Sequence, residues 1–502
     1  MDTVRIGTAA LSVEDLVAVV DGARVELDDS ALTAMAAARA VVDRALAAGT
    51  AVYGLTTQVG HGRNTRLTDE EIRGEQEFLV LSHAGGLGPA LPVPQVRAAM
   101  AVRLAGLARG GSGASVAVAE TVASMLNAGV HPVVPGTGSV GAGDLAQMAW
   151  IAQVAIGRGR AEHGGAVLPG GEALRRAGIP PLVLAGKDGL ALISANGFSV
   201  GRAALVVTTA ARAAEAADVA AALSLEAIEG NPSIVHPAVG RATGIAGQIA
   251  AADHIRELLA GSALLGPDGA RSVQDALSFR VVPQVHGALR HHVEAARTAV
   301  QTELAAAADN PLVSVDDGAL ISNGNFHPMV LALSCDALRI AVAHVGQLSE
   351  RRMAHLWDEF FAQPASSPPA STYGLQLRYP AAAVVAELEQ LAAPATLGVP
   401  PLDLGIEDHA TGAPLSVTRT DSALGLLGDL LAVELLMAAE TLTRRPSPRA
   451  LGTGTAAALD LVREVLEDAD PYPDAVHRSL RARFPAPARP ADRRGIPGRR
   501  RR

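Results

Sequence analysis

Between residues 31 and 48 apolar positions recur at helical spacing, and Asp28, Asp29 and Ser30 stand ahead of them as candidate caps. The same period returns over 69–83 and 94–109. Beyond Gly197 the pattern lengthens. Residues 200–229, 284–308, 329–358, 380–393 and 424–443 each read as a helix with few internal breakers. Pro283 and Pro328 stand just before two of them, where a missing N–H costs little. Helices this long exceed the usual globular length and predict a long helical bundle. Strand-like signal is confined to short runs such as 24–27 and 312–315. Residues 51–66, where a lone Tyr53 sits among glycines and threonines, predict an irregular loop. Residues 131–143 (His-Pro-Val-Val-Pro-Gly-Thr-Gly-Ser-Val-Gly-Ala-Gly) predict a second loop, feeding a helix that opens at Asp144.

Composition sharpens this picture. Hydrophobic residues make up 49% and charged residues 19% of the 502, which excludes a disordered or fibrous chain. Aromatic residues are only 3%, so the core must be built from Ala, Leu and Val, which favours close-packed helices and an all-α fold. The length suggests roughly three domains. The expected division is an N-terminal domain carrying these two loops (1–197), a central long-helix bundle (198–445) and a C-terminal segment (446–502) richer in Pro and Arg.

A net charge of −9 argues against a globally basic nucleic-acid binder. The exception is a tail of Arg493, Arg494 and Arg499 to Arg502, expected to be a solvated end. The only lysine is Lys187. A lone Cys335 allows no intrachain disulfide, which fits a reducing compartment. The start, Met1-Asp2-Thr3, lacks the pattern of a signal peptide, and no run of about 18 apolar residues free of charge, Pro or Gly is expected. The reading is a soluble, cytoplasmic protein with no nucleic-acid or membrane partner.

Several residues are candidates for chemistry. Gly136, Gly138 and Gly141, with Glu162 downstream, satisfy a dinucleotide-cradle pattern. Pro132 and Pro135 argue against the strand such a cradle needs, and helical patterns flank the loop. His286, His291, His292 and Glu294 cluster in sequence without zinc-ligand spacing, so no metal site is expected. Arg280 can grip a carboxylate through two parallel hydrogen bonds. Asn196 and Gln274 offer neutral amides. Read alone, such residues are as well explained by capping or surface positions.

A set of ordered segments goes further. Gly138-Ser139-Val140-Gly141-Ala142-Gly143-Asp144-Leu145 resembles the active-site loop of the aromatic amino acid lyase family. Val52-Tyr53-Gly54-Leu55-Thr56-Thr57 resembles its tyrosine loop, and Ser82-His83 its histidine-type pocket. Lys187-Asp188-Gly189-Leu190-Ala191-Leu192 leads to Asn196-Gly197, and Gln274-Asp275 to Ser278-Phe279-Arg280 resembles the carboxylate-binding segment. Asp309-Asn310-Pro311-Leu312, Gly324-Asn325-Phe326-His327, Ser349-Glu350-Arg351-Arg352 and Glu407-Asp408-His409 complete the series, spanning about residues 5–445.

The resemblance implies a long-helix bundle of the fumarase/aspartase-like lyase superfamily, a homotetramer, and elimination of an amine from a histidine-like amino acid to give a urocanate-type acrylate. It makes Tyr53 the base that takes the β-proton and Glu407 an acid/base or imidazole partner. His83, Asn196, Gln274, Arg280 and Phe326 become substrate-binding residues. An unperturbed phenol is protonated at neutral pH, so nearby cations or donors are expected to lower Tyr53. The Ser-His pair and the Glu resemble the enzymes that act on histidine.

The sequence also departs from the family. The family's electrophile, a methylidene-imidazolone, is made by cyclising Ala-Ser-Gly, and the serine supplies its methylidene carbon. Ala142, Gly143 and Asp144 occupy that place without the serine, so no such cofactor is expected. Leu277 stands where a tyrosine is usual, and Gln58, Gln147 and Trp150 replace a glycine, a proline and a histidine. Without the electrophile a simple α-ammonium should leave very slowly. A trimethylammonium group has no lone pair to be trapped and departs as a neutral amine, so a betaine of histidine, or its thiol derivative, suits such a site. A catalytically silent homologue is the alternative, and a nucleotide-dependent enzyme using the glycine loop is a third.

Overall fold

The computed structural model describes residues 3–362, 371–445 and 449–484. The arginine tail expected from sequence lies outside them.

The predicted helices form where the apolar period called for them. Asp28 accepts the N–H groups of Ser30 and Ala31 and opens the helix Asp29–Ala47. Thr68 and Glu71 form a reciprocal capping box that starts Asp69–Ser82. The long helices are Gly197–Ile228, Val282–Leu304, Met329–Ala362, Tyr373–Leu391 and Ala413–Thr443. Contrary to the sequence expectation, three helical stretches are long and apolar enough to cross a membrane by length and composition: Asp188–Ile228, Met329–Ala362 and Ala413–Thr443. Their most apolar windows are 94%, 61% and 78% buried inside the protein, so packing accounts for much of that apolar surface.

Strands are more numerous than the sequence suggested. Arg24–Leu27 pairs in parallel with Thr3–Ile6, and Leu312–Ser314 pairs antiparallel with Ala319–Ile321. The expected loop at 131–143 contains two short strands. His131–Pro132 joins the hairpin of Arg160–His163 and Ala166–Pro169, and Pro135–Thr137 pairs with Leu87–Ala90. Prolines sit in these strands because so short a pairing asks few N–H groups of them. Glu162 pairs with His131 in an antiparallel ladder, which is not the parallel strand–helix–strand unit of a dinucleotide cradle.

By contacts the chain falls into two compact units. The first gathers Met1–Ala210, His292–Ile340 and Leu391–Ala423, and the second Ala211–His291, Ala341–Gln390 and Leu424–Arg502. This partition cuts across chain order. The first unit holds a cluster of Ala38, Val41, Val42, Val52, Leu55 and Val313, which floors the Tyr53 loop. The second holds a cluster including Leu225, Ile255, Leu259, Phe279 and Val282. Beside it lies a fully buried ion pair, in which Arg352 binds both Glu434 oxygens at 2.6 and 2.9 Å and donates to the Ser278 carbonyl at 3.2 Å.

Candidate active site

In the first unit, the Val52 carbonyl accepts the N–H groups of Leu55, Thr56 and Thr57, folding a tight turn around Tyr53. Thr56 Oγ1 accepts the Val52 N–H and donates to the Thr50 carbonyl, closing the turn's neck. The phenol is half-buried, and its oxygen accepts the Gly60 N–H at 3.0 Å. Burial first, then the Glu407 and Asp403 carboxylates, push its pKa above the ordinary 10, against the Gly60 hydrogen bond and Arg63. The expectation of a lowered phenol is therefore not met within the chain. The charged groups nearest to it are mostly acidic.

His83 ends the helix Asp69–Ser82. Its Nδ1 faces the Leu79 carbonyl at 2.9 Å, with Ser82 Oγ at 3.3 Å. A carbonyl only accepts, so Nδ1 carries a proton. Glu407 is held by a small antiparallel bridge to Leu402. Burial and Asp403 raise its pKa while His83 lowers it, which places His83, Glu407, Asp403 and Tyr53 in one electrostatic neighbourhood.

Asn196 is 3% exposed, and neither of its amide atoms has a hydrogen-bond partner among the described residues. A buried amide left open on both sides is costly, and a bound ligand would satisfy it.

The glycine loop is braced from several directions. Ser139 Oγ accepts the Gly141 N–H and donates to the Gly143 carbonyl, both at 3.0 Å. The Gly143 N–H donates to the Phe326 carbonyl at 3.1 Å, so Phe326 anchors the loop through its backbone. Gly143 has φ +74°, a left-handed conformation that a side chain there would resist. Asp144 stands at the N-cap of Leu145–Ala155 as expected, yet its carboxylate does not cap that helix. It accepts the Ser199 N–H and hydroxyl at 2.8 and 3.0 Å instead, and burial raises its pKa. Gln147 and Trp150 donate to the Pro135 and Gly85 carbonyls, so these departures from the family serve to bind loops.

Gln274, Arg280 and Leu277 belong to the second unit. Gln274 is exposed, and Arg280 closes the short helix Leu277–Arg280, whose Phe279 is buried. The sequence histidines divide as well. His286 is buried and faces Asp218 at 2.7 Å, and Asp218 also binds His254 and Arg290.

Two pairs escaped the sequence reading. His327 Nε2 and His409 Nδ1 lie 2.8 Å apart beside Phe326. Asp403 receives both the backbone N–H and the ring Nδ1 of His61, at 2.8 and 2.6 Å. Each pair joins residues far apart in the chain, so no local pattern marks them.

The family model for aromatic amino acid lyase matches residues 11–464. The chain therefore belongs to the aromatic amino acid lyase family, a family of ammonia-lyase-type enzymes. A histidine ammonia-lyase of Anaeromyxobacter sp. (strain K) is 40% identical over 467 residues, covering 89% of this chain and 91% of that protein. Among solved structures, the ergothioneine-degrading enzyme ergothionase of Treponema denticola, in complex with desmethyl-ergothioneine sulfonic acid, superposes with a TM-score of 0.90. It is 28% identical, covering 96% of this chain and 99% of that one. Histidine ammonia-lyase of Trypanosoma cruzi gives a TM-score of 0.84 at 29% identity, covering 96% and 94%. The all-α long-helix class expected from sequence is the one these structures share.

Proposed function

We propose that this chain is a carbon–nitrogen lyase that eliminates trimethylamine from a histidine-like betaine to give a urocanate-type acrylate, without a methylidene-imidazolone. The observation that carries the proposal is a juxtaposition. Tyr53, His83 and Glu407 lie in one neighbourhood, while the loop that resembles the family's amine-trapping loop lacks its serine. The residues present do not fit the cofactor. Ala142-Gly143 has no carbon to become the methylidene, and the hydroxyl of Ser139 is occupied in bracing its own loop.

The reaction needs no trap. Tyr53, as phenolate, takes the β-proton. The C–H electron pair becomes the Cα=Cβ bond, and the C–N pair leaves on trimethylamine, which needs no proton. A cationic substrate also favours the phenolate, offsetting the carboxylates that raise Tyr53. The Glu407 carboxylate is an acceptor suited to an imidazole N–H, His83 borders the imidazole pocket on the resemblance, and the open amide of Asn196 suits the amino-acid end. On the resemblance, Gln274 and Arg280 keep their roles as amide orienter and carboxylate grip, Phe326 borders the substrate, and the assembly is a cytoplasmic homotetramer. The name of the Treponema denticola neighbour, an ergothioneine-degrading enzyme, supports a betaine substrate class.

A catalytically silent homologue is the second reading, favoured by the raised Tyr53 phenol and by Leu277. The two are separated by intact mass and turnover together. The proposal expects a mass without loss of two waters, and betaine-dependent growth of acrylate absorbance that disappears in Tyr53→Phe. A two-water deficit overturns the cofactor-free mechanism, and no turnover of any histidine-like substrate favours the silent protein.

A further inference from the structure

The segment 402–407 that carries Glu407 is unusual in its backbone. Asp403 and Leu404, neither of them glycine, have φ of 46° and 57°. Consecutive left-handed residues persist only where their surroundings over-determine them. Here the surroundings are visible. Leu402 and Glu407 exchange backbone hydrogen bonds at 2.8 and 3.3 Å, and Ile406 donates to the Asp403 carbonyl at 3.1 Å. The strained turn aims the Asp403 carboxylate at the loop that carries Tyr53, where it takes two hydrogen bonds from His61. The neighbouring residue, Gly60, is the one whose N–H reaches the phenol oxygen. Gly60 has φ +58°, and a Cβ there would collide with the Asp403 carboxylate, so the approach is open only to glycine.

We propose that Asp403 is a positioning residue: its two hydrogen bonds to His61 latch the Gly60 amide onto the Tyr53 phenol oxygen and hold the base's loop against the loop of Glu407. The latch lies at the surface, since the His61 side chain is 66% and that of Asp403 27% exposed, so opening it need not unfold the core. The charged and titratable groups around the phenol are Asp403, Glu407 and Arg63, with His61 on Asp403 and His83 on Glu407. The role of Tyr53 as base rests on the elimination proposed above. The latch itself does not.

Two variants of the full-length protein test it without substrate. Asp403→Ala removes both acceptors for His61 and should speed deuterium exchange at the amides of 58–62 by about tenfold or more, with exchange elsewhere unchanged. Asp403→Asn keeps the side chain's shape and an oxygen to accept the His61 N–H, so it should restore most of the protection over 58–62. Unchanged exchange over 58–62 in Asp403→Ala, an increase spread evenly over the chain, or no rescue by Asp403→Asn overturns the latch. Because the readout needs no turnover, an inactive protein can still show the latch, and the two failures remain distinct.

Discussion

The Tyr53 phenol and the Glu407 carboxylate share one neighbourhood, and the carboxylate's charge raises the phenol's pKa rather than lowering it. A phenol with a raised pKa is mostly protonated at neutral pH, and the fraction able to act as the proposed base grows about tenfold per pH unit below the midpoint. The rate constant kcat/KM, which reports the free enzyme, should therefore climb through the neutral and mildly alkaline range without levelling. The kcat profile should level at lower pH, because a bound trimethylammonium favours the phenolate. A pH–rate series checks both, and a kcat/KM plateau already at neutral pH would point to a different base.

At Asn196 the proposed ligand contact is set against stability. Its buried amide, unsatisfied on both atoms, costs about 1–3 kcal/mol in the free protein. Asn196→Leu removes the open polar atoms at similar volume. The melting temperature should hold or rise, while kcat/KM falls at least about tenfold, as expected when a charge-assisted hydrogen bond is lost. A marked loss of stability with unchanged kinetics would make Asn196 structural.

Arg352 and Glu434 are both fully buried and bind each other twice. Arg352→Ala strands a buried carboxylate and should cost about 3–5 kcal/mol by denaturant unfolding. Replacing both with apolar residues of similar volume should recover most of that loss. The pair also holds the Ser278 carbonyl, so the single variant should loosen the segment that ends in Arg280.

Burial raises the thiol of Cys335 to about 12. A thiol that stays protonated and covered does not react. A disulfide reagent should leave the native protein unmodified and should label one thiol per chain after unfolding. Rapid labelling of the folded protein would show that the helix around Cys335 opens.

The long helices were legible because alanine and leucine repeat at their period over many turns. Their ends were not. The helix expected from 380 begins at Tyr373 and carries Pro380 inside it. That expected from 424 begins at Ala413, because the polar run hid the period. Thr418, Thr420 and Ser422 donate to carbonyls one turn back, so their hydroxyls are satisfied within the helix. The hairpin of Arg160–His163 and Ala166–Pro169 was not read at all, because its strands are too short to stand out. The family resemblance named Tyr53, His83, Asn196 and Glu407, and the structure brings Tyr53, His83 and Glu407 into one neighbourhood, but the electrostatics there carried no local sequence signal. The acidic surroundings of Tyr53 depend on Asp403, which lies 342 positions from its partner His61 in the chain.

In the proposed mechanism, amine departure depends on the substrate's own leaving group and not on an electrophile built into the chain. The direct measurement compares acrylate formation from plain histidine and from its trimethyl betaine, with and without the imidazole thiol, under identical conditions. At least one betaine should turn over, with trimethylamine released in equal amount, and histidine should show no measurable turnover. Turnover of plain histidine with release of ammonia, and none of either betaine, would contradict it.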